Sequence, residues 1–84
     1  MPQWFVLTAL FRAQLRAIDR VTAKRILDAL NRLRFGHGDV ENVEGSDPPQ
    51  KRFRVGGYRI IYRELGDGRF ELREVGKRGE IYRD

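Results

Sequence analysis

Cysteine is absent from this chain of 84 residues, which excludes disulfides, thiolate metal sites and cysteine nucleophiles together. Histidine occurs once, as His37 between two glycines, so no histidine cluster exists to bind a metal. No apolar run approaches the roughly 18 residues that a membrane span requires. The first residues also lack the basic stretch followed by an apolar segment that marks a secretory leader. A soluble, cytoplasmic protein without membrane contact is expected. Phosphate-binding and dinucleotide-binding glycine motifs and zinc-ligand spacings are missing as well, so neither a metal nor a cofactor is expected. Glu64 and Glu74 are candidate cross-strand neighbours, read as surface ion-pairing groups rather than as an acid–base pair.

Lysine is scarce among the basic residues. Of the 17 Lys and Arg, only Lys24, Lys51 and Lys77 are lysine, and the remaining 14 are arginine. Residues 1–50 carry seven basic and six acidic side chains, residues 51–84 ten and six, so +4 of the +5 net charge lies in the last 34 residues. Arginine offers a planar fork that matches phosphate, so an arginine-rich second half points to a polyanion or an acidic protein as partner. Hydrophobic residues at 40% are enough for a core, and the length fits a single domain over residues 1–84.

Residues 3–7 read as an edge strand or a helix lead-in. Thr8 is expected to cap a helix in which Phe11, Leu15 and Ile18 recur at helical spacing, with Arg12, Gln14 and Arg16 off the stripe. Asp19 and Arg20 break that pattern, and a second helix is then expected to run to about Phe35, its stripe made of Ala23, Ile26, Leu27, Leu30 and Leu33, with Gly36 as its expected stop. Residues 36–50, with three glycines, two prolines and four acids, read as a loop.

After Lys51 the period changes to two. Phe53 and Val55 alternate with Arg52 and Arg54, and Gly56-Gly57 signals a hairpin. Residues 58–65 follow as the most strand-like segment, with the adjacent Ile60 and Ile61 facing opposite sides. Another alternating stretch runs to Val75, then a turn over 76–79 and a last short strand at Glu80, Ile81 and Tyr82. Helices followed by hairpin-linked strands form an α+β pattern, here two N-terminal helices packed on an antiparallel sheet of about four strands.

What carries chemistry is a set of arginines and lysines near tyrosines: Lys51, Arg52, Arg54, Arg59, Arg63, Arg73, Lys77, Arg78 and Arg83 with Tyr58, Tyr62 and Tyr82. Arg59, Ile61 and Arg63 share one strand face, and Tyr58, Ile60 and Tyr62 share the other. Cations beside aromatics suit single-stranded nucleic acid, and equally describe a charged solvent face. Pattern alone leaves both open.

The segments KRFRVGGYRIIYREL and VGKRGEIYR are similar to the C-terminal half of the RelE/ParE superfamily of type II toxin-antitoxin toxins, and specifically to its RelE branch. The shared elements are a basic-hydrophobic-basic strand, a glycine turn, a Tyr-Arg-hydrophobic-hydrophobic-Tyr strand, a Val-Gly-Lys-Arg element and a terminal Ile-Tyr. The resemblance implies a RelE-like fold and a ribosome-dependent endoribonuclease, an mRNA interferase that cuts mRNA in the decoding site. It also implies neutralisation by a cognate antitoxin. Position by position, Arg52 and Arg54 match the basic pair that holds the RNA, with Lys51 and Lys77 expected beside substrate. Arg59 matches the arginine on the scissile phosphate, Arg78 the proposed general acid, and Tyr82 the tyrosine that orients substrate or acts as base. The ParE branch of the superfamily acts on DNA gyrase and is not a nuclease, so gyrase inhibition is an alternative, as is a catalytically silent binding module.

Overall fold

The computed structural model describes residues 2–81. In it, the helical stripes before Gly36 become two helices that lie on one face of a sheet, and the alternating residues after Lys51 become most of that sheet. The elements are β1 (Trp4–Leu7), α1 (Ala9–Arg16), α2 (Arg20–Leu33), β2 (Asp39–Val43), β3 (Gln50–Val55), β4 (Tyr58–Glu64), β5 (Arg69–Lys77) and α3 (Arg78–Ile81). The class is α+β, as the pattern of elements implies. The strand order is β1-β5-β4-β3-β2.

Three expectations are corrected. The sheet has five strands and is mixed, because the N-terminal segment pairs in parallel with β5, Trp4 opposite Arg69 and Leu7 opposite Leu72. The segment read as a loop contains β2, antiparallel to β3, because Val40 reaches the core while Asp39 and Glu41 meet arginines across the strand. The expected last strand is instead the short helix α3, and β5 continues through Gly76 to Lys77 where a turn was expected. Tyr82 lies outside the described residues.

Both long helices start at side-chain caps. The Thr8 hydroxyl accepts the Phe11 N–H at 3.2 Å, and the Asp19 carboxylate accepts the Thr22 N–H at 3.0 Å. That hydrogen bond holds the Asp19 carboxyl below its usual range. From the helices, Phe11, Ile26, Ala29, Leu30 and Leu33 pack against Phe53, Val55, Ile60, Tyr62, Leu72 and Val75. The α2 residues that reach the core are spaced i, i+3, i+4, i+7, which puts Ala29 inside. Leu27, expected on the stripe, lies on the flank and is 50% exposed.

Leu72 and Val75 are three residues apart and both are buried on this side, which a regular strand forbids. A register shift resolves it: Ile61 pairs with Glu74 and Tyr62 with Leu72, so Arg73 is an extra residue on β5. At the bulge, backbone groups of β5 find partners on α1 and its N-cap. Thr8 Oγ1 donates to the Leu72 carbonyl at 2.9 Å, and Gln14 Oε1 accepts the Val75 N–H at 2.8 Å.

Candidate functional site

Alternation decides which side chains occupy the sheet face turned away from α1 and α2. Phe53 and Val55 enter the core, so Arg52 and Arg54 stand on the far face; Tyr58, Ile60 and Tyr62 point toward the helices, so Arg59, Ile61 and Arg63 join them. Strand register sets these residues in rows. One row runs Asp39, Arg54, Arg59, Gly76, and the next runs Glu41, Arg52, Ile61, Glu74. Ile61 is only 6% exposed although it is outside the helix-side core. The long stems of charged neighbours cover apolar surface in such a position.

Acids are interleaved with these cations. Arg52 Nη1 lies 2.9 Å from Glu41 Oε1, and Arg54 Nη1 lies 3.5 Å from Asp39 Oδ2. Glu71 Oε1 is shared, 3.5 Å from Arg63 Nη2 and 2.6 Å from Arg73 Nη1. The face therefore carries positive charge that is partly neutralised by the protein itself.

The Gly56-Gly57 turn between β3 and β4 gathers two further arginines. Gly56 has φ +57°, a conformation in which a side chain is strained. Arg59 is 6% exposed, and its Nη1 donates to the Gly56 and Tyr58 carbonyls at 2.8 Å each. Its cation is thus fixed just below the surface by the turn's own dipoles. The Arg78 backbone N–H donates to the Gly57 carbonyl at 2.9 Å, which ties the start of α3 to the same turn, with Arg78 exposed. Gly76 makes this closure fit: a Cβ there would sit 3.2 Å from Glu80 Oε1 and 3.3 Å from Ile81 Cδ1.

Of the predicted site residues, Arg52, Arg54 and Arg59 share one face, and Arg78 is tethered at its corner. Lys51 stands apart. Alternation puts it on the helix side with Phe53, where its Nζ lies 3.2 Å from Glu64 Oε1. Lys77, opposite Tyr58, shares that tyrosine's side at the other end of the sheet, where the two line a groove of about 730 Å³ with Gln14, Ile18 and Ile81. Tyr82, the expected substrate-orienting residue, is among the residues not described. Glu64 and Glu74 are not neighbours: Glu64 pairs with Phe70 and Glu74 with Ile61, so they occupy opposite faces. Tyr62 is held by the core, its ring 4.9 Å from Phe70, and burial together with the Glu64 charge pushes its hydroxyl up to about 12. It is no base at neutral pH.

Asp39 and Glu41 are the residues that sequence reasoning missed. Their signal was present: the DVENV segment alternates acids around Val40 as the RFRV segment alternates arginines around Phe53, and the two patterns complement each other in register.

Solved structures of the same fold include toxin-antitoxin complexes. The archaeal RelE–RelB complex from Pyrococcus horikoshii OT3 matches with a TM-score of 0.74 at 22% identity, over 94% of this chain and 98% of the other. The RelB–RelE complex from Methanococcus jannaschii matches with a TM-score of 0.74 at 24% identity, over 92% and 94%. The RelBE2 complex from Mycobacterium tuberculosis matches with a TM-score of 0.71 at 19% identity, over 93% and 100%. The fold is therefore that of RelE-type toxins.

The chain belongs to the family described as the ParE toxin of the type II toxin-antitoxin system parDE, whose model matches residues 5–82, and so to the RelE/ParE superfamily. No curated protein matches it. Among the described residues, no helix is long and apolar enough to cross a membrane.

Proposed function

We propose that this toxin is a metal-independent, ribosome-dependent endoribonuclease that cleaves mRNA in the decoding site. On this reading residues 1–84 act as one cytoplasmic toxin domain, held in check by a cognate antitoxin. The observation that carries the proposal is the convergence of Arg52, Arg54 and Arg59 on one sheet face with Arg78 anchored at the adjoining Gly56-Gly57 turn.

Cleavage by the neighbouring 2′-hydroxyl needs no protein nucleophile. It needs in-line geometry, positive charge where the phosphorane develops, and a route for two protons. Arg59, fixed by two backbone carbonyls, supplies preorganised charge that costs no rearrangement during the reaction. Arg52 and Arg54 hold the flanking phosphates. On this reading Arg78, exposed at the corner, protonates the leaving 5′ oxygen, and Tyr82 has the role of orienting the substrate. Arginine and tyrosine are weak general acids and bases near pH 7, so the ribosome and message must supply much of the alignment. Efficient cutting of free RNA is therefore not expected.

The test is primer extension on a message held in purified translating ribosomes, with wild type, Arg78→Ala and a ribosome-free control. Cuts that require the ribosome and vanish with Arg78→Ala support the nuclease. Absence of cuts from folded protein rejects it. A second reading, gyrase inhibition, is favoured by the family model's own description as a ParE toxin. A supercoiling assay separates the two, since Arg78→Ala should leave gyrase inhibition intact.

A further inference from the structure

The arginine face is built with its own competitors in place. Glu41 lies directly opposite Arg52, and Asp39 directly opposite Arg54, on the edge strand β2. The ladder to β3 and the packing of Val40 against the core hold these acids at fixed positions rather than on a mobile loop. Their carboxylate oxygens stand 2.9 and 3.5 Å from the guanidinium nitrogens. Arg52 is the deeper of the two cations, its side chain 16% exposed, while Arg54 is 47% exposed.

We propose that Glu41 and Asp39 are selectivity residues of this face, occupying Arg52 and Arg54 as intramolecular substitutes for phosphate that a ligand must displace. The inference deepens the RNA reading above and rests on it for the identity of the ligand. An isolated anion gains little from the face, because it exchanges one negative partner of each arginine for another. A strand carrying several linked phosphates behaves differently. Once one phosphate has displaced a carboxylate, the next engages intramolecularly and at high effective concentration. The acids thus reject small anions and admit an extended polyanion.

The experiment uses the full chain and its Glu41→Gln, Asp39→Asn and doubly substituted variants. Asp28→Asn is the control, because it removes one negative charge from α2, where Asp28 pairs with Lys24 at 3.3 Å, without touching the arginine face. Binding of a short labelled single-stranded RNA is followed by fluorescence anisotropy, and elution from heparin serves as a polyanion probe independent of RNA. Each single change on β2 should tighten RNA binding about two- to fivefold, the double change should tighten it further, and the gain should shrink as salt rises. Asp28→Asn should stay within about a factor of two of wild type. Inorganic phosphate should compete with RNA more effectively in the double variant than in wild type.

Equal behaviour of the β2 variants and Asp28→Asn on both RNA and heparin would overturn the inference. Later heparin elution of the β2 variants with no RNA binding by any protein would uphold the screening role and reject RNA as the ligand. Gln at position 41 retains an oxygen that can accept from Arg52, and the exposed Asp39 provides a second variant should Glu41→Gln fold poorly.

Discussion

The two faces of this sheet are made by the same strands and held by different physics. Toward α1 and α2, Phe53, Val55, Ile60, Leu72 and Val75 interlock with Phe11, Ile26 and Leu30, and water is excluded. On the far face, arginines alternate with acids, and the groups that order them are carboxylates and turn carbonyls. One face supplies stability and the other presents charge. In a chain this small the separation matters, because the packed side has little stability to spare. A substitution on one face should therefore leave the property of the other largely intact.

The severest break lies in the core. Phe11 is fully buried, and Phe11→Ala should cost about 3–5 kcal/mol, read as a lower urea midpoint, and should abolish function through loss of the fold. Arg78→Ala sharpens the contrast from the other side. Ribosome-dependent cleavage should fall by about 10²–10³-fold while the urea midpoint stays in place, since the side chain is exposed. Gln14→Ala lies between, because it leaves the Val75 N–H at the bulge without its acceptor. A loss of about 1–3 kcal/mol should appear in the same melt.

An effect of similar size appears only at high pH. Tyr62 titrates at about 12 in the fold against 10.0 for an unperturbed tyrosine, so the unfolded chain gives up this proton first. The stabilisation is complete below pH 10 and is lost as pH rises toward 12. Stability measured across that window should fall with a shallower slope in Tyr62→Phe than in wild type. The smallest effect belongs to the arginine face itself. Arg54 and Asp39 are both exposed, and Arg54→Ala should change stability by less than about 1 kcal/mol in a urea melt while weakening RNA binding.

The core was legible because a single periodicity governs each part of it. The stripe through Ile26, Leu30 and Leu33 and the alternation around Phe53 and Ile60 give the same answer in the sequence and in the structure. The arginine face followed from the same alternation. What escaped notice depended on tertiary partners. Residues 36–50 look like a loop because glycine, proline and acids surround only five strand residues, and those residues are ordered by β3 rather than by their own propensity. The bulge at Arg73 cannot be read locally, nor can the structural role of Gln14, which lies on the polar side of its helix in the sequence pattern yet is fixed by the bulge. Lys51 was grouped with Arg52 by adjacency, although a one-residue step along a strand reverses the face.

The parallel pairing of β1 with β5 also sets the order in which the molecule is completed during synthesis. The hydrogen bond from Thr8 to Leu72 spans 64 residues, so the first strand to leave the ribosome waits for the last before it has a partner. At about 5–20 residues synthesised per second that interval is on the order of ten seconds or less. Until β5 arrives, Phe11 and the α2 stripe have only part of their cover, and the Gly57 carbonyl has no Arg78 to receive. A nascent chain that still lacks β5 therefore exposes apolar surface that the finished fold covers, the condition that favours aggregation.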